Sequence, residues 1–139
     1  MDTTNRQLLE VSWLRLAVLI GGDGVVFLLF ALLGRSSHGL VDENPLFASL
    51  RVALPFFLAW LLVAPWLGLF RPQPPARVIL LTLSAWLIAL PLGLGLRWLQ
   101  LGRSSPASFA IVTFLTVALL LLIWRGAYSW WTTRRHNYN

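Results

Sequence analysis

Four apolar runs, each long enough to cross a bilayer and separated by short polar connections, decide most of what this chain can fold into. The first extends from Val11 to Leu33, which at 1.5 Å per helical residue is roughly 34 Å, close to the thickness of a hydrocarbon core. The others cover about 45–70, 76–101 and 106–128. Backbone amides and carbonyls buried in lipid must be paired within the chain, so such runs fold as helices. The expectation is an all-α polytopic membrane protein, a single domain over residues 1–139, with four transmembrane helices in an antiparallel bundle. Composition agrees: 58% of residues are hydrophobic and the mean hydropathy is +0.73, whereas soluble domains are roughly 45–50% apolar. The first run lacks a small-residue cleavage site and carries Asp23, so it reads as a retained span and not as a signal peptide.

The connections carry turn and capping chemistry. Residues 1–10 form a polar, charge-balanced leader. Gly34 is placed to cap the first helix in the left-handed conformation. After the loop Arg35 to Glu43, Asn44-Pro45 reads as N-cap and first helical residue, with Asp42 and Glu43 near the positive end of that helix. Pro55 and Pro65 interrupt the second span and Pro91 the third. Each proline frees the carbonyl four residues back, those of Arg51 and Leu61 in the second span, and predicts a kink whose carbonyl a neighbouring helix can satisfy. Arg71 to Arg77 is a proline-rich turn; Ser105-Pro106 reads as cap and first residue of the fourth span.

All eleven basic residues are arginines, and the net charge is +6. In so apolar a chain these cations mark membrane boundaries, which argues against a nucleic-acid partner. Arg6, Arg15, Arg71, Arg77, Arg125, Arg134 and Arg135 fall on the side of the two termini; Arg35, Arg51, Arg97 and Arg103 fall on the other. The positive-inside rule then puts both termini in the cytoplasm of a bacterial-type plasma membrane. Trp13, Trp66, Trp98, Trp124 and Trp130 sit where an aromatic belt would. With no cysteine, thiol chemistry and disulfides are excluded.

An aspartate inside the first span demands an explanation, because an ionisable group at that depth is costly unless it is paired or functional. Asp23 lies about ten residues, roughly 15 Å, below the outer end of its span. Helical side chains lean toward their own N-terminus, so Arg51 leans toward outer water while Arg97 leans toward the bilayer centre. The axial gap from Arg97 to Asp23 is roughly 9 Å, and Gly21, Gly22, Gly24 and Gly93 favour close helix approach. The expectation is an intramembrane pair of Asp23 with Arg97 under a polar cap of Arg35, His38 and Arg51, in the outer half of the membrane. Such a pair either fixes helix register or forms a titratable or anion-binding site.

His38 has no second histidine nearby, since His136 lies in the opposite tail, so neither a metal site nor a catalytic residue is assigned. Ser36 or Ser37 with His38 and Asp42 could be written as a nucleophile triad, but adjacency is not that geometry. Phe56, Phe57, Trp60 and Trp86 read as core and lipid-facing bulk. No phosphate loop, dinucleotide fingerprint, zinc or haem motif occurs, and no cofactor is expected. The string Leu33-Gly34-Arg35-Ser36-Ser37 recurs as Leu101-Gly102-Arg103-Ser104-Ser105. It reads either as a duplicated hairpin or as ordinary helix-end composition.

Asp23, Phe30-Ala31, Gly34-Arg35, Ser37-His38-Gly39, Arg51, Pro55-Phe56, Arg97 and Trp124-Arg125 together resemble an uncharacterised family of small bacterial and archaeal membrane proteins, a domain of unknown function. The resemblance implies four spans and no particular activity. Size, tryptophans and the lack of an enzyme motif point first to an accessory or interaction subunit of a membrane assembly, working with other membrane chains or as a homo-oligomer. The alternative is a small-solute or proton-linked transport or binding protein centred on Asp23 and Arg97. A membrane enzyme using His38 with Arg35 stands last.

Overall fold

The computed structural model describes residues 3–36 and 44–136. Among them are four helices and no strand: α1 (Thr3–Ser36), α2 (Pro45–Val63), α3 (Pro75–Leu101) and α4 (Ala107–His136). Each contains a stretch long and apolar enough to cross a membrane. The protein is all-α and multi-pass, as the four apolar runs require.

Helix ends follow local chemistry, with informative departures. The Asn44 side chain accepts a hydrogen bond from the Leu46 N–H at 3.1 Å, and Pro45 is the first residue of α2. Gly102 (φ 66°) closes α3 in the left-handed conformation, its N–H donating to the Trp98 carbonyl at 2.8 Å. Gly34 does not cap α1. It stays helical and α1 runs to Ser36, a placement that costs glycine only ~1 kcal/mol relative to alanine. α2 is shorter than its apolar run: the helix ends at Val63, and residues 64–70 fold into turns instead of kinking at Pro65. Pro65 has no N–H to give the Leu61 carbonyl, and Gly68 (φ 72°) reverses the chain. The Leu69 N–H then reaches back to the Ala64 carbonyl at 3.1 Å. α4 begins one residue after Pro106, whose carbonyl accepts from the Ala110 N–H.

Pro55 and Pro91 stand inside α2 and α3. The carbonyl that Pro55 frees, Arg51 O, accepts a hydrogen bond from the Gln100 side chain of α3 at 3.3 Å. A neighbouring helix thus supplies the donor that the proline removes.

The helices form a square. α1 packs on α2, α2 on α3, α3 on α4 and α4 on α1, while the backbones of the diagonal pairs stay apart. Aromatic rings fill the axis between the diagonals: Phe27, Phe56, Trp60 and Trp86 are all fully buried. Phe27 of α1 meets Trp86 of α3 edge-on at 5.5 Å between centroids, and Phe56 of α2 meets Phe109 of α4 at 6.0 Å. Trp86 also donates from its indole to the Phe114 carbonyl of α4 at 3.0 Å. Lipid tails are as apolar as leucine, so what holds these helices together is packing and hydrogen bonding and not exclusion of water. Each aromatic pair adds ~0.5–1.5 kcal/mol. The outward faces carry exposed Leu14, Phe47, Leu80, Leu99 and Leu115, as a lipid-facing surface does.

Two glycines set the helix spacing. A β-carbon on Gly93 would lie 2.5 Å from the Phe56 ring and 3.2 Å from the Phe56 Cα, so α3 rests directly on α2 there. Ala85, Ala89 and Gly93, four residues apart, form one buried small-residue stripe on α3. A β-carbon on Gly22 would lie 2.0 Å from the Trp124 indole, which fixes α1 against α4. Gly21 and Gly24 do not share this role: Gly21 faces open space and Gly24 makes ordinary contact with Phe57.

Candidate functional site

Asp23 continues the buried face of α1 that Leu19, Val26, Phe27 and Phe30 form at helical spacing. It is completely buried. Trp60 of α2 donates from its indole Nε1 to Asp23 Oδ2 at 2.8 Å. Arg125 of α4 donates from Nε to Oδ1 at 3.0 Å and from Nη2 to Oδ2, making a two-point fork on the carboxylate. The third arm, Nη1, donates to the Leu69 carbonyl at 2.9 Å. The guanidinium lies 5.4 Å from the Trp60 ring centroid and 5.0 Å from that of Phe70.

This lock explains the turns that follow α2. A carbonyl released from helical bonding at depth is tolerated only where protein or water pairs it; Leu69 O is paired by Arg125. Arg125 is itself only 2% exposed, so its charge is offset by a fork, a carbonyl and two ring faces. Fork geometry with every acceptor oxygen engaged is what makes a buried pair tolerable, since desolvation of each ion otherwise exceeds the Coulomb gain.

The structure corrects the expected partner of Asp23. Arg97 does not pair with it. α1 and α3 are diagonal in the square, and the Phe27–Trp86 contact lies between them. Arg97 instead stacks over Phe109 at 4.8 Å, with its Nε buried and unbonded. The polar cluster is correspondingly on the other side of Asp23 from the one expected: it faces the end of the bundle that carries both termini. Arg35, half-buried in the last turn of α1, and Arg51, exposed on α2, belong to the opposite end. His38, together with Ser37 and Asp42, lies outside the described residues.

Side-chain direction admits Arg125 as a partner of Asp23 on the same ground as Arg97. α4 runs toward the end that carries the termini, so a side chain leaning toward its own N-terminus points from that boundary toward the bilayer centre. Arg125 also falls in step with Thr113, Val117, Leu121 and Ser129, every fourth residue on the buried face of α4.

Directly beneath the lock is a cavity of about 210 Å³. Arg15 and Leu19 of α1, Leu69 to Gln73 of the turn after α2 (Phe70 excepted), Val78 of α3, and Arg125, Tyr128, Ser129, Thr132 and Thr133 of α4 line it. The Thr132 and Thr133 hydroxyls donate to carbonyls of their own helix at 2.8–3.1 Å, so toward the cavity their oxygens can accept. Arg15 has a buried Nε without a partner. Among the described residues no three His, Cys, Asp or Glu side chains come together in a way that could hold a metal ion.

Four membrane-length helices in a square, with a carboxylate–guanidinium lock at mid-depth, define a small polytopic membrane protein. Residues 20–128 match the family described as "Protein of unknown function (DUF3054)", and the chain belongs to that family. No curated protein and no solved structure matches it.

Proposed function

We propose that the protein is a small-solute binding or transport protein of the plasma membrane, with its solute site in the cavity beneath the Asp23–Arg125 lock. The carrying observation is the cavity itself: about 210 Å³ of space, lined by three arginines and several hydroxyl side chains among apolar ones, at the end of the bundle that holds both termini. A cavity of roughly 150 Å³ already admits a molecule the size of benzene. Beyond the lock the axis is filled by Phe27, Phe56, Trp60 and Trp86, so one copy has a binding site but no open path. Transport on this reading uses a homodimer or larger assembly. The arginine distribution supports termini in the cytoplasm, which makes the cavity a cytoplasmic-side site. The role proposed is binding, not catalysis.

Purification of the full chain in mild detergent, with mass spectrometry of everything retained, tests this reading. The expected result is the chain alone or as a homo-oligomer, carrying a small molecule that is lost when Ser129→Trp fills the cavity. Stoichiometric partner proteins with no retained small molecule would contradict it and restore the accessory-subunit reading.

A further inference from the structure

We infer that the cavity is an oxyanion site, in which Arg15 and Arg71 bind a phosphate or carboxylate group. This rests on the solute-binding reading above and names its ligand class. Three guanidinium groups line the cavity, from Arg15, Arg71 and Arg125. The Asp23 carboxylate answers one of them. Both of its oxygens are taken by Arg125 and Trp60, and no other acidic side chain belongs to the described residues of the cavity wall. Arg15 and Arg71 thus leave two positive charges facing a space walled partly by low-dielectric protein, where an anion gains more than it would in water. Arg15 has a buried Nε–H with no acceptor, an unmet donor of the kind that a bound oxygen would satisfy. Tyr128, Ser129 and the Gln73 amide add neutral donors in the same wall.

Two sources share this chemistry: a free oxyanion and a lipid headgroup. An apolar groove of about 510 Å³ lined by Leu16, Ile20, Leu61 and Phe70 adjoins the cavity and shares Arg71 with it. An anion with an acyl chain could place its tail there.

The test is thermal unfolding of the full chain at constant ionic strength. One arm titrates delipidated protein in detergent with inorganic phosphate or succinate, with choline chloride as control. A second arm compares nanodiscs of phosphatidylglycerol with nanodiscs of phosphatidylcholine. The expected result is a saturable stabilisation in at least one arm; the detergent arm identifies a free oxyanion, and the nanodisc arm alone identifies a lipid. Loss of a charge-assisted hydrogen bond predicts about tenfold weaker binding in Arg71→Gln and in Arg15→Gln, and an unchanged response in Arg103→Gln at the opposite end. Arg71 is exposed, so its variant keeps the test decisive if Arg15→Gln folds poorly. No saturable effect in either arm, or an undiminished effect in Arg71→Gln, overturns the inference. A retained neutral or cationic molecule, with oxyanions inert, overturns the anion class and leaves the solute-binding reading standing.

Discussion

Arg125 and Arg97 approach the middle of the membrane from opposite ends, each on a helix whose direction tips it inward, and they meet different fates. Arg125 finds a carboxylate on the adjacent α1 and is locked by a fork. Arg97, on α3, is diagonal to that carboxylate and lies over the Phe109 ring instead. Depth and side-chain direction admit both arginines. Helix adjacency chooses between them: α1 packs on α4 and not on α3, and Gly22 lets it approach the Trp124 indole closely.

The largest effect should come from breaking the lock. Arg125→Leu leaves the Asp23 carboxylate and the Leu69 carbonyl buried without their donor, and should cost ~3–5 kcal/mol of stability in detergent unfolding. A loss under ~1 kcal/mol would mean that Asp23 is held neutral or by another group. Next is spacing. Gly22→Ala drives a methyl group into the Trp124 indole and should cost ~1–3 kcal/mol, as overpacking does. Gly95→Ala, with nothing within 4 Å, should be neutral or stabilising by up to ~1 kcal/mol. Trp60→Phe keeps most of the ring and deletes one donor to Asp23, for an expected loss of ~1–3 kcal/mol. The smallest loss is expected for Arg97→Met, which removes a ring contact with no carboxylate attached and should cost ~1 kcal/mol or less in the same assay.

The fold was largely legible. Apolar runs require helices in lipid, and Asn44-Pro45 states its own cap, with the Leu46 N–H donating to the Asn44 side chain. The carbonyl freed by Pro55 found a neighbour, Gln100, as the membrane setting demands. The end of α2 was less legible, because the run through Phe70 stays apolar whether it is helix or turn; hydropathy does not register that Pro65 and Gly68 together break it.

The site was half legible. Asp23 is anomalous by chemistry alone, and its need for a cation follows from the cost of a lone charge in lipid. Which cation is a question of helix order around the square, which span lengths and charge counts do not contain. Arg125 was hidden by its neighbours: beside Trp124 and near the end of an apolar run it reads as a boundary arginine. The same residues on a helix running the other way would indeed have snorkelled to water. The Leu69 carbonyl could not be found from composition, since any residue in that turn offers the same group.

One pair of double-mutant cycles, measured by reversible unfolding in detergent, tests the Asp23–Arg125 lock most directly. Asp23→Asn with Arg125→Gln should show strong coupling, of about 2 kcal/mol or more, because each single change strands a buried partner. Asp23→Asn with Arg97→Gln should be additive to within ~0.5 kcal/mol. Strong coupling in the Arg97 cycle with additivity in the Arg125 cycle would contradict the lock and return Asp23 to the diagonal helix.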